Sequence, residues 1–176
     1  MTREQRLRVE HTAVLALGSN LGDREATIRA AVREIAALSG VTVTGASGLV
    51  ETAAVKPEGV DTDAPAYLNA VITVRTSLDP HVLLRAVNTI EREHGRVRET
   101  RWGDRTLDID IVDFGGLRVD NERLTLPHPR ASDRSFVVVP WLQVEPHATL
   151  LSHGRVAELA AATADDVHPY PARPLL

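Results

Sequence analysis

Residues 101–111 of the chain read Arg101-Trp102-Gly103-Asp104-Arg105-Thr106-Leu107-Asp108-Ile109-Asp110-Ile111. The last five residues alternate between apolar side chains and carboxylates, which is the pattern of a half-buried β-strand. Because successive side chains in a strand point to opposite faces of the sheet, Asp108 and Asp110 share one face, and Leu107, Ile109 and Ile111 share the other. The strand therefore presents two negative charges side by side, directly after a group of arginines.

Two interpretations of the carboxylate pair fit the sequence. One is an edge strand with a solvated polar face, which is common in antiparallel sheets. The other is a site for a hard divalent cation, because neighbouring carboxylates repel each other unless a cation lies between them. A cation that carries a polyphosphate would also satisfy the arginines, since guanidinium groups bind phosphate oxygens in pairs. The pair alone does not decide between functions, because glycosyltransferases and polymerases also use Asp-x-Asp.

The composition of the 176-residue chain narrows the classes of function. A net charge of −4 argues against a general nucleic-acid binder, and the absence of cysteine excludes disulfides and thiolate metal ligands. No apolar run approaches the roughly 18 residues needed to span a bilayer. Residues 1–12 are polar and lack the apolar stretch of a signal peptide. We expect a cytoplasmic protein without membrane contacts, with a flexible tail over residues 1–12 and a single domain over residues 13–176.

Hydrophobic periodicity predicts the element order β-α-β-β-α-β, followed by a C-terminal extension. Asp23 and Asp79 are the expected N-caps of the two helices, which end near Gly40 and Gly95. This order predicts the α+β class with a ferredoxin-like βαββαβ core, an antiparallel sheet with helices packed on one face. The predicted strands cover residues 14–17, 41–51, 67–76 and 107–114, and the extension adds predicted helices over residues 134–144 and 156–162.

Two segments rich in turn-forming residues are predicted to lack regular structure. Thr52–Pro65 is expected to be a mobile surface loop, and Gly18–Gly22 a strand-to-helix turn. The second segment lacks the Gly-Lys-Ser/Thr ending of a P-loop, and no Gly-x-Gly-x-x-Gly occurs in the chain. Phosphate binding must therefore come from side chains, and the candidates are Arg96, Arg98, Arg101, Arg105, Arg123 and Arg134.

Other polar residues stand out by position. His128 lies between two prolines, which fix the backbone and aim the imidazole, although a loop histidine is unremarkable by itself. Glu91 lies one helical turn from Asn88, and an alternative interpretation is that it is an ordinary solvent-facing acid. Tyr67 and Asn69 share a strand face, as residues that contact a common ligand would.

Five motifs, taken in order, resemble the 6-hydroxymethyl-7,8-dihydropterin pyrophosphokinases of the folate pathway. The motifs are Leu17–Asp23, Tyr67–Asn69, Gly95–Arg98, Arg101–Asp110 and Arg123–Pro129, and they span about residues 13 to 145. The resemblance implies a ferredoxin-like fold and an enzyme that transfers the β,γ-diphosphate of ATP to the hydroxymethyl group of the pterin and releases AMP.

The resemblance also implies roles for individual residues. Asp108 and Asp110 would hold two Mg²⁺ ions, with ATP as co-substrate, and Arg96 and Arg105 would stabilise charge on the transferring group. These four residues form the expected catalytic set. The ATP site would comprise Leu84, Asn88, Glu91, Arg98, Arg101, Trp102, Ile111, Arg123, Thr125, His128 and Arg134, and the pterin site Thr52, Val55, Tyr67, Asn69 and Phe136, with Phe136 stacking on the ring.

Two departures and two alternatives accompany this interpretation. Asp104 stands where the family usually has proline or a small residue, and Ala53-Ala54 replaces the proline-rich start of the pterin loop.

One alternative is a ferredoxin-like ligand-binding module without turnover. The other is an Asp-x-Asp nucleotidyl- or glycosyltransferase, which would release pyrophosphate or a nucleoside diphosphate instead of AMP. We expect a monomer whose partners are small-molecule substrates.

Overall fold

The structure is a computed structural model that describes residues 9–56, 58–95, 106–163 and 166–176. Within these ranges the α-helices are α1 (Arg24–Ala36), α2 (Pro80–Glu93), α3 (Ser135–Val144) and α4 (Val156–Thr163), with a short 3₁₀ helix over Ala131–Asp133. The strands are β1 (His11–Ser19), β2 (Val41–Ala46), β3 (Val50–Thr52), β4 (Ala54–Lys56), β5 (Gly59–Asp61), β6 (Tyr67–Thr76), β7 (Asp108–Phe114), β8 (Val119–Asp120), β9 (Thr125–Leu126), β10 (Thr149–Leu150), β11 (Gly154–Arg155) and β12 (His168–Pro169).

Six of these strands form one antiparallel sheet in the order β12-β3-β6-β1-β7, with β2 pairing beside β6. Strands β3 and β2 pair with the same side of β6, β3 near its beginning and β2 near its end. The order of elements and the antiparallel pairing confirm the predicted α+β class and its ferredoxin-like core. Because β1 lies between β6 and β7, its residues contact both neighbours, and the candidate site depends on this placement.

Helices cover both faces of the sheet, whereas the sequence predicts helices on one face. Helices α1 and α2 pack on the face that carries Leu15, Ile72 and Ile109. The opposite face, which carries Val14 and Val71, packs against α3 and α4 of the C-terminal extension. The second layer forms because these strands are apolar on both faces at this point, so both faces need a cover.

The two helices of the core begin where their capping residues predict. The carboxylate of Asp23 accepts a hydrogen bond from the backbone N–H of Ala26 (3.1 Å), and that of Asp79 accepts one from His81 (2.9 Å). These bonds satisfy N–H groups that the first turn of a helix leaves unpaired. Pro80 then occupies the first helical position, where no donor is needed.

Several boundaries differ from the sequence prediction. Gly18 lies inside β1 and not in a turn, and β1 begins at His11, two residues inside the predicted tail. The predicted loop Thr52–Pro65 contains the β4–β5 hairpin, which closes where Gly59 adopts a φ of +120°. The predicted strand over residues 41–51 is two strands, β2 and β3, because residues 47–49 leave the ladder.

A β-bulge in β7 separates the polar and apolar parts of this strand. Leu15 pairs with Ile111 and Val14 with Asp113, so Val112 has no partner of its own on β1. The extra residue reverses the alternation of side chains, so that Ile111 and Phe114 both point toward α1 and α2. Val112 points to the other face, in line with the two aspartates before it.

The C-terminal segment holds β3 and α1 together. Strand β12 pairs with β3, and the N–H of Tyr170 donates to the carbonyl of Leu49 (2.9 Å). Arg29 of α1 donates to the carbonyls of Arg173 and Pro174. The segment therefore adds an edge strand beside β3. Within the described ranges no helix is long and apolar enough to cross a membrane.

Asp113 gives a test of the packing around the bulge. Burial raises the pKa of its carboxyl above the usual 3.8; the hydrogen bond from the N–H of Gly116 opposes this, and the nearby Glu145 reinforces it. A raised pKa means that the folded state binds the proton more tightly than the unfolded state, so ionisation of Asp113 lowers stability as pH rises above about 4. We expect Asp113→Asn to melt at a higher temperature than the unmodified protein at pH 7, with the difference vanishing near pH 3.

Scanning calorimetry at several pH values measures this effect. Asp120→Asn is the control, because Asp120 is an exposed carboxylate on another strand. A difference for Asp113→Asn that is independent of pH, or a lower melting temperature at pH 7, contradicts the assignment.

Candidate active site

The sheet brings the predicted pterin and metal residues onto one face. Gly18 of β1 pairs with Asn69 of β6 on one side and with Asp108 of β7 on the other. Ala16 pairs with Asp110 in the next row of the same face. Directly paired residues point to the same face, and neighbouring strands lie about 4.8 Å apart, so the Cα atoms of Asn69 and Asp108 are roughly 10 Å apart. The sequence predicts each pair separately, and the register of β1 brings them together.

The apolar contacts of α3 and α4 with this face begin at Ala16 and Val71, one row from Gly18. Asp108 and Asp110 are half-buried, although β7 is the last strand of the sheet. The interpretation of the two aspartates as part of a fully solvated edge strand is therefore wrong. Carboxylates that are partly desolvated need positive charge nearby.

Arg134 supplies positive charge to one of the two carboxylates. Its Nη1 lies 3.1 Å from Oδ2 of Asp110, and Nε2 of His128 lies 3.7 Å from the same oxygen. The guanidinium of Arg134 also lies over the ring of Phe136, at 5.6 Å from the ring centroid. Two residues that the sequence assigns to the ATP site therefore lie beside Asp110, and Phe136, which it assigns to the pterin site, lies beside Arg134.

The backbone fixes the position of His128. The peptide bond between Leu126 and Pro127 is cis, and the N–H of His128 donates to the carbonyl of Val112 in β7 (2.8 Å). The N–H of Arg130 donates to Nδ1 of His128 (3.1 Å), so the proton of the neutral ring is on Nε2, which faces Asp110. These backbone contacts direct the imidazole toward Asp110, in the manner expected from the prolines on either side of His128.

The environment keeps His128 neutral at physiological pH. Burial lowers the pKa of the imidazole most, and Arg134 and Arg130 lower it further, while Asp108 opposes them, so that the pKa is about 4. A neutral imidazole with its proton on Nε2 is a hydrogen-bond donor toward an anion and adds no second positive charge beside Arg134.

Glu91 is buried, which corrects the interpretation of a solvent-facing acid. The residue is 1% exposed, and its Oε1 accepts a hydrogen bond from the N–H of Ile109 at 2.7 Å. Ile109 lies between the two aspartates, and its N–H is on the outer edge of β7. Glu91 therefore ties α2 to the strand that carries the metal-ligand candidates and occupies one backbone donor of its outer edge. Contact of Glu91 with ATP stays a prediction.

The other predicted nucleotide contacts on α2 lie on the far side of β7. Leu84 and Asn88 are half-buried, and Leu84 packs against the same core as the buried Ile111. This core is on the face opposite Asp108 and Asp110. A nucleotide that contacts both groups must therefore pass around the outer edge of β7.

Three of the predicted pterin residues, Thr52, Tyr67 and Asn69, converge at the beginning of β6. Thr52 of β3 pairs with Tyr67, and Nδ2 of Asn69 donates to Oγ1 of Thr52 at 3.0 Å. Both partners of this hydrogen bond are buried, whereas Tyr67 and Phe136 are half-buried. The half-buried ring of Tyr67 beside a buried polar pair suits a flat, polar ligand, whereas Phe136 contacts Arg134.

The remaining predicted residues divide into two groups. Arg123 and Thr125 are exposed, and the side chain of Asn121 shapes their hairpin by accepting a hydrogen bond from the N–H of Arg123 (3.0 Å). The structure does not bring them against the aspartates. The residues Arg96, Arg98, Arg101, Trp102 and Arg105 lie outside the described residues, as does the side chain of Val55.

A cavity of about 450 Å³ adjoins this region beyond the end of β1. Arg24 and Glu51 line it and form an ion pair at 2.8 Å, and Arg24 also donates to the carbonyl of Ala66. None of the residues assigned to the ATP or pterin site lines this cavity. Its contacts hold β3 and the beginning of β6 in place beside the candidate site.

Two residues of the site have no predicted role from the sequence. Gly18 forms the floor between Asn69 and Asp108, and a glycine at the end of a buried strand is a signal for close approach of another group. Arg130 fixes the ring of His128 through its backbone N–H. No sequence signal points to Arg130, because any residue except proline supplies that donor.

Comparison with known proteins finds relatives that all belong to one family. A family model described as 7,8-dihydro-6-hydroxymethylpterin-pyrophosphokinase (HPPK) matches residues 14–146. A relative from Bacillus subtilis named 2-amino-4-hydroxy-6-hydroxymethyldihydropteridine pyrophosphokinase is 43% identical over 145 residues, which cover 80% of this chain and 84% of the relative. A relative of the same name from Haemophilus influenzae is 39% identical over 154 residues, which cover 88% and 94%.

A solved structure of Plasmodium falciparum HPPK-DHPS shares the fold, with a TM-score of 0.68 and 16% identity over 90% of this chain and 45% of that chain. This chain spans less than half the length of that protein. The fold and the relatives together define a transferase of the kinase type. The chain belongs to the 7,8-dihydro-6-hydroxymethylpterin-pyrophosphokinase family and is a diphosphokinase of folate biosynthesis.

The buried carboxylate of Glu91 gives a test of how the metal-ligand strand is held. Glu91→Ala leaves the N–H of Ile109 without its acceptor inside the protein, and we expect a loss of about 2 kcal/mol or more in the free energy of unfolding. Glu91→Gln keeps an acceptor oxygen and should lose less than half as much. Urea unfolding measures both changes.

The control for this comparison is Glu93→Ala, an exposed position two residues further along α2. It should change the free energy of unfolding by no more than about 0.5 kcal/mol. Equal losses for Glu91→Gln and Glu91→Ala would show that the hydrogen bond is not what holds the strand.

Proposed function

We propose that this diphosphokinase transfers the β,γ-diphosphate of ATP to the hydroxymethyl group of 6-hydroxymethyl-7,8-dihydropterin in a Mg²⁺-dependent reaction. The products are AMP and the pterin diphosphate. The observation that carries the proposal is the row Asn69–Gly18–Asp108, which places a buried amide and a carboxylate pair on one face at a separation of roughly 10 Å. A bicyclic ring with a one-carbon arm bridges a gap of this size.

The donor set of the carboxylate pair suits magnesium. Asp108 and Asp110 offer oxygen ligands on one face, and within the described ranges no group of three or more His, Asp or Glu side chains forms a fuller cage. Mg²⁺ is typically bound by one or two carboxylates and completes its shell with water and phosphate oxygens. We propose that the pair holds two Mg²⁺ ions together with ATP. When bound, they supply neutralisation of the triphosphate charge.

The cationic residues would orient the triphosphate. Arg134 lies beside Asp110, where a phosphate group bound at the pair would come within its reach. His128 presents its Nε2 proton to the same place. We assign Arg96 and Arg105 to the charge that develops during transfer and Arg98, Arg101, Trp102, Arg123 and Thr125 to ATP, on the resemblance of their motifs to the family.

The adenosine end of ATP would pass around the edge of β7. Leu84 and Asn88 are half-buried on α2 beside this edge, and Ile111 packs behind it. Glu91 already bonds to the backbone there, so the edge is fixed before the nucleotide binds. A preformed edge lowers the ordering cost of binding.

The pterin would lie against β6 and β3. The Asn69 amide and the Thr52 hydroxyl are buried and bonded to each other, so they offer donors and acceptors in a fixed orientation. Tyr67 lies beside them, and we assign ring stacking to Phe136 and a further contact to Val55. The Ala53-Ala54 departure lies directly after Thr52.

The transfer itself requires little from the protein beyond placement. The hydroxymethyl oxygen forms a bond to the β-phosphorus, the bond from that phosphorus to the oxygen bridging the α-phosphorus breaks, and AMP leaves with this oxygen. The hydroxyl proton is released. Two reactants held on one rigid sheet face react as an intramolecular pair, which lowers the barrier by several kcal/mol.

We also propose that the chain acts as a cytoplasmic monomer with small-molecule substrates only. Glu91 accepts a hydrogen bond from the N–H of Ile109, and the N–H of His128 donates to the carbonyl of Val112, so two backbone groups of β7 that a second chain would need are already bonded. Use of ATP places the reaction in a compartment that supplies it.

Removing either aspartate tests the proposal. In an assay with ATP, Mg²⁺ and the reduced hydroxymethylpterin, we expect Asp108→Asn and Asp110→Asn each to reduce AMP formation by about 10³-fold or more, because each removes a ligand that acts in the transition state. Asp113→Asn is the matched control, since it changes the third carboxylate of the same strand and should retain AMP formation.

The products distinguish the alternatives. Pyrophosphate or a nucleoside diphosphate in place of AMP would support an Asp-x-Asp transferase of another kind. Retained AMP formation in both variants, with melting temperatures like that of the unmodified protein, would contradict the assignment of the pair.

A further inference from the structure

Gly18 occupies the position in the site where a side chain is least tolerable. A Cβ built on this residue would lie 3.0 Å from Oδ1 of Asn69 and 3.7 Å from Cδ1 of Tyr67. The first distance is shorter than ordinary van der Waals contact. The space above Gly18 is therefore already used by the carboxamide of Asn69.

The conformation of Gly18 does not explain why the residue is glycine. It lies in the extended ladder of β1 and does not have a positive φ, unlike Gly22, Gly40 and Gly95. Any residue adopts this backbone. The requirement for glycine comes from the neighbouring side chain and not from the turn that the sequence suggests.

The amide of Asn69 lies across β1 in a single orientation. Its Nδ2 donates to Oγ1 of Thr52 on the β3 side (3.0 Å), which leaves Oδ1 over Gly18, on the side toward Asp108. Asn69 is 4% exposed, so the amide has little freedom to rotate. Within the described residues Oδ1 accepts no hydrogen bond, and it is an acceptor aimed at the space between the two halves of the site.

We propose that Gly18 is a positioning residue for the pterin: it leaves room for the Asn69 carboxamide to lie across β1 and present Oδ1 to N–H donors of the ring. The inference rests on the proposed function, since it assumes that the ligand on this face is the aminopterin. A side chain at position 18 would displace the acceptor by a few tenths of an ångström or more. The ring would lose its alignment with the diphosphate held near Asp108.

The effect of a methyl group at position 18 measures this role. We expect Gly18→Ala to weaken binding of 6-hydroxymethyl-7,8-dihydropterin by about tenfold or more, because displacement of an orienting group is costly in a fixed site. Binding of ATP with Mg²⁺ should change by less than about threefold, since the aspartates lie on the other neighbour strand. Calorimetric titration gives both dissociation constants.

Gly48→Ala is the matched control. A Cβ at Gly48 would meet only Oε1 of Gln143, at 3.5 Å, which is an ordinary contact. This variant should bind both substrates like the unmodified protein. Melting temperatures of both variants report any general loss of structure.

A double-mutant cycle separates positioning from a structural effect. If Gly18 acts through Asn69, the change Gly18→Ala should weaken pterin binding by less than about twofold when Asn69 is already alanine. If the increase in the pterin dissociation constant of the double variant equals the product of the increases in the two single variants, Gly18 acts independently of Asn69, and the inference is overturned. A pterin dissociation constant for Gly18→Ala within twofold of the unmodified value would overturn it as well.

Nuclear magnetic resonance of the unmodified protein provides a second measurement that does not depend on folding of the variant. Titration with the dihydropterin alone should shift the Gly18 backbone amide and the Asn69 side-chain amide and leave Gly48 unchanged. Unshifted Gly18 and Asn69 signals at saturation contradict the inference. If the pterin shifts both signals but the protein forms no AMP, the result contradicts the proposed function and still supports this inference.

Discussion

The register of β1 between β6 and β7 is the constraint on which the rest of the molecule depends. It sets Gly18 opposite both Asn69 and Asp108, and it sets Ala16 opposite Asp110. A slip of one residue would turn the aspartates toward the core under α1 and α2 and would expose Ile109. The buried apolar side chains on both faces of β1 prevent this slip, so the hydrophobic core and the site are specified by the same pairing.

The electrostatics of the site follow from this placement. Two half-buried carboxylates lie on adjacent rows of an edge strand, and one of them, Asp110, lies beside Arg134 and the neutral ring of His128. The two carboxylates offer hard oxygen ligands on one face, which is the ligand type that a divalent cation such as Mg²⁺ prefers. Glu91 of α2 stabilises the same strand by accepting a hydrogen bond from the N–H of Ile109. Its carboxylate is bonded to the backbone and adds no charge to the face of the two aspartates.

Sequence periodicity and capping residues predict the core well, because the helices starting after Asp23 and Asp79 and the alternation in residues 67–76 are local signals. The second helical layer is harder to predict, since it depends on long-range packing of the extension against Val14 and Val71. The same holds for two site residues. The burial of Glu91 and the approach of Asn69 to Gly18 arise between strands and helices distant in sequence, and no local pattern contains them.

The central claim is that one sheet face holds the metal-bound triphosphate and the pterin on either side of Gly18. Crystals of the complex with Mn²⁺, a non-hydrolysable ATP analogue and the dihydropterin test it directly, because Mn²⁺ is located by its anomalous scattering. The account predicts anomalous peaks within coordination distance, about 2.0–2.3 Å, of the carboxylate oxygens of Asp108 and Asp110, with the pterin ring hydrogen-bonded to Asn69. Metal peaks away from both aspartates, or a pterin bound on the face covered by α1 and α2, would contradict it.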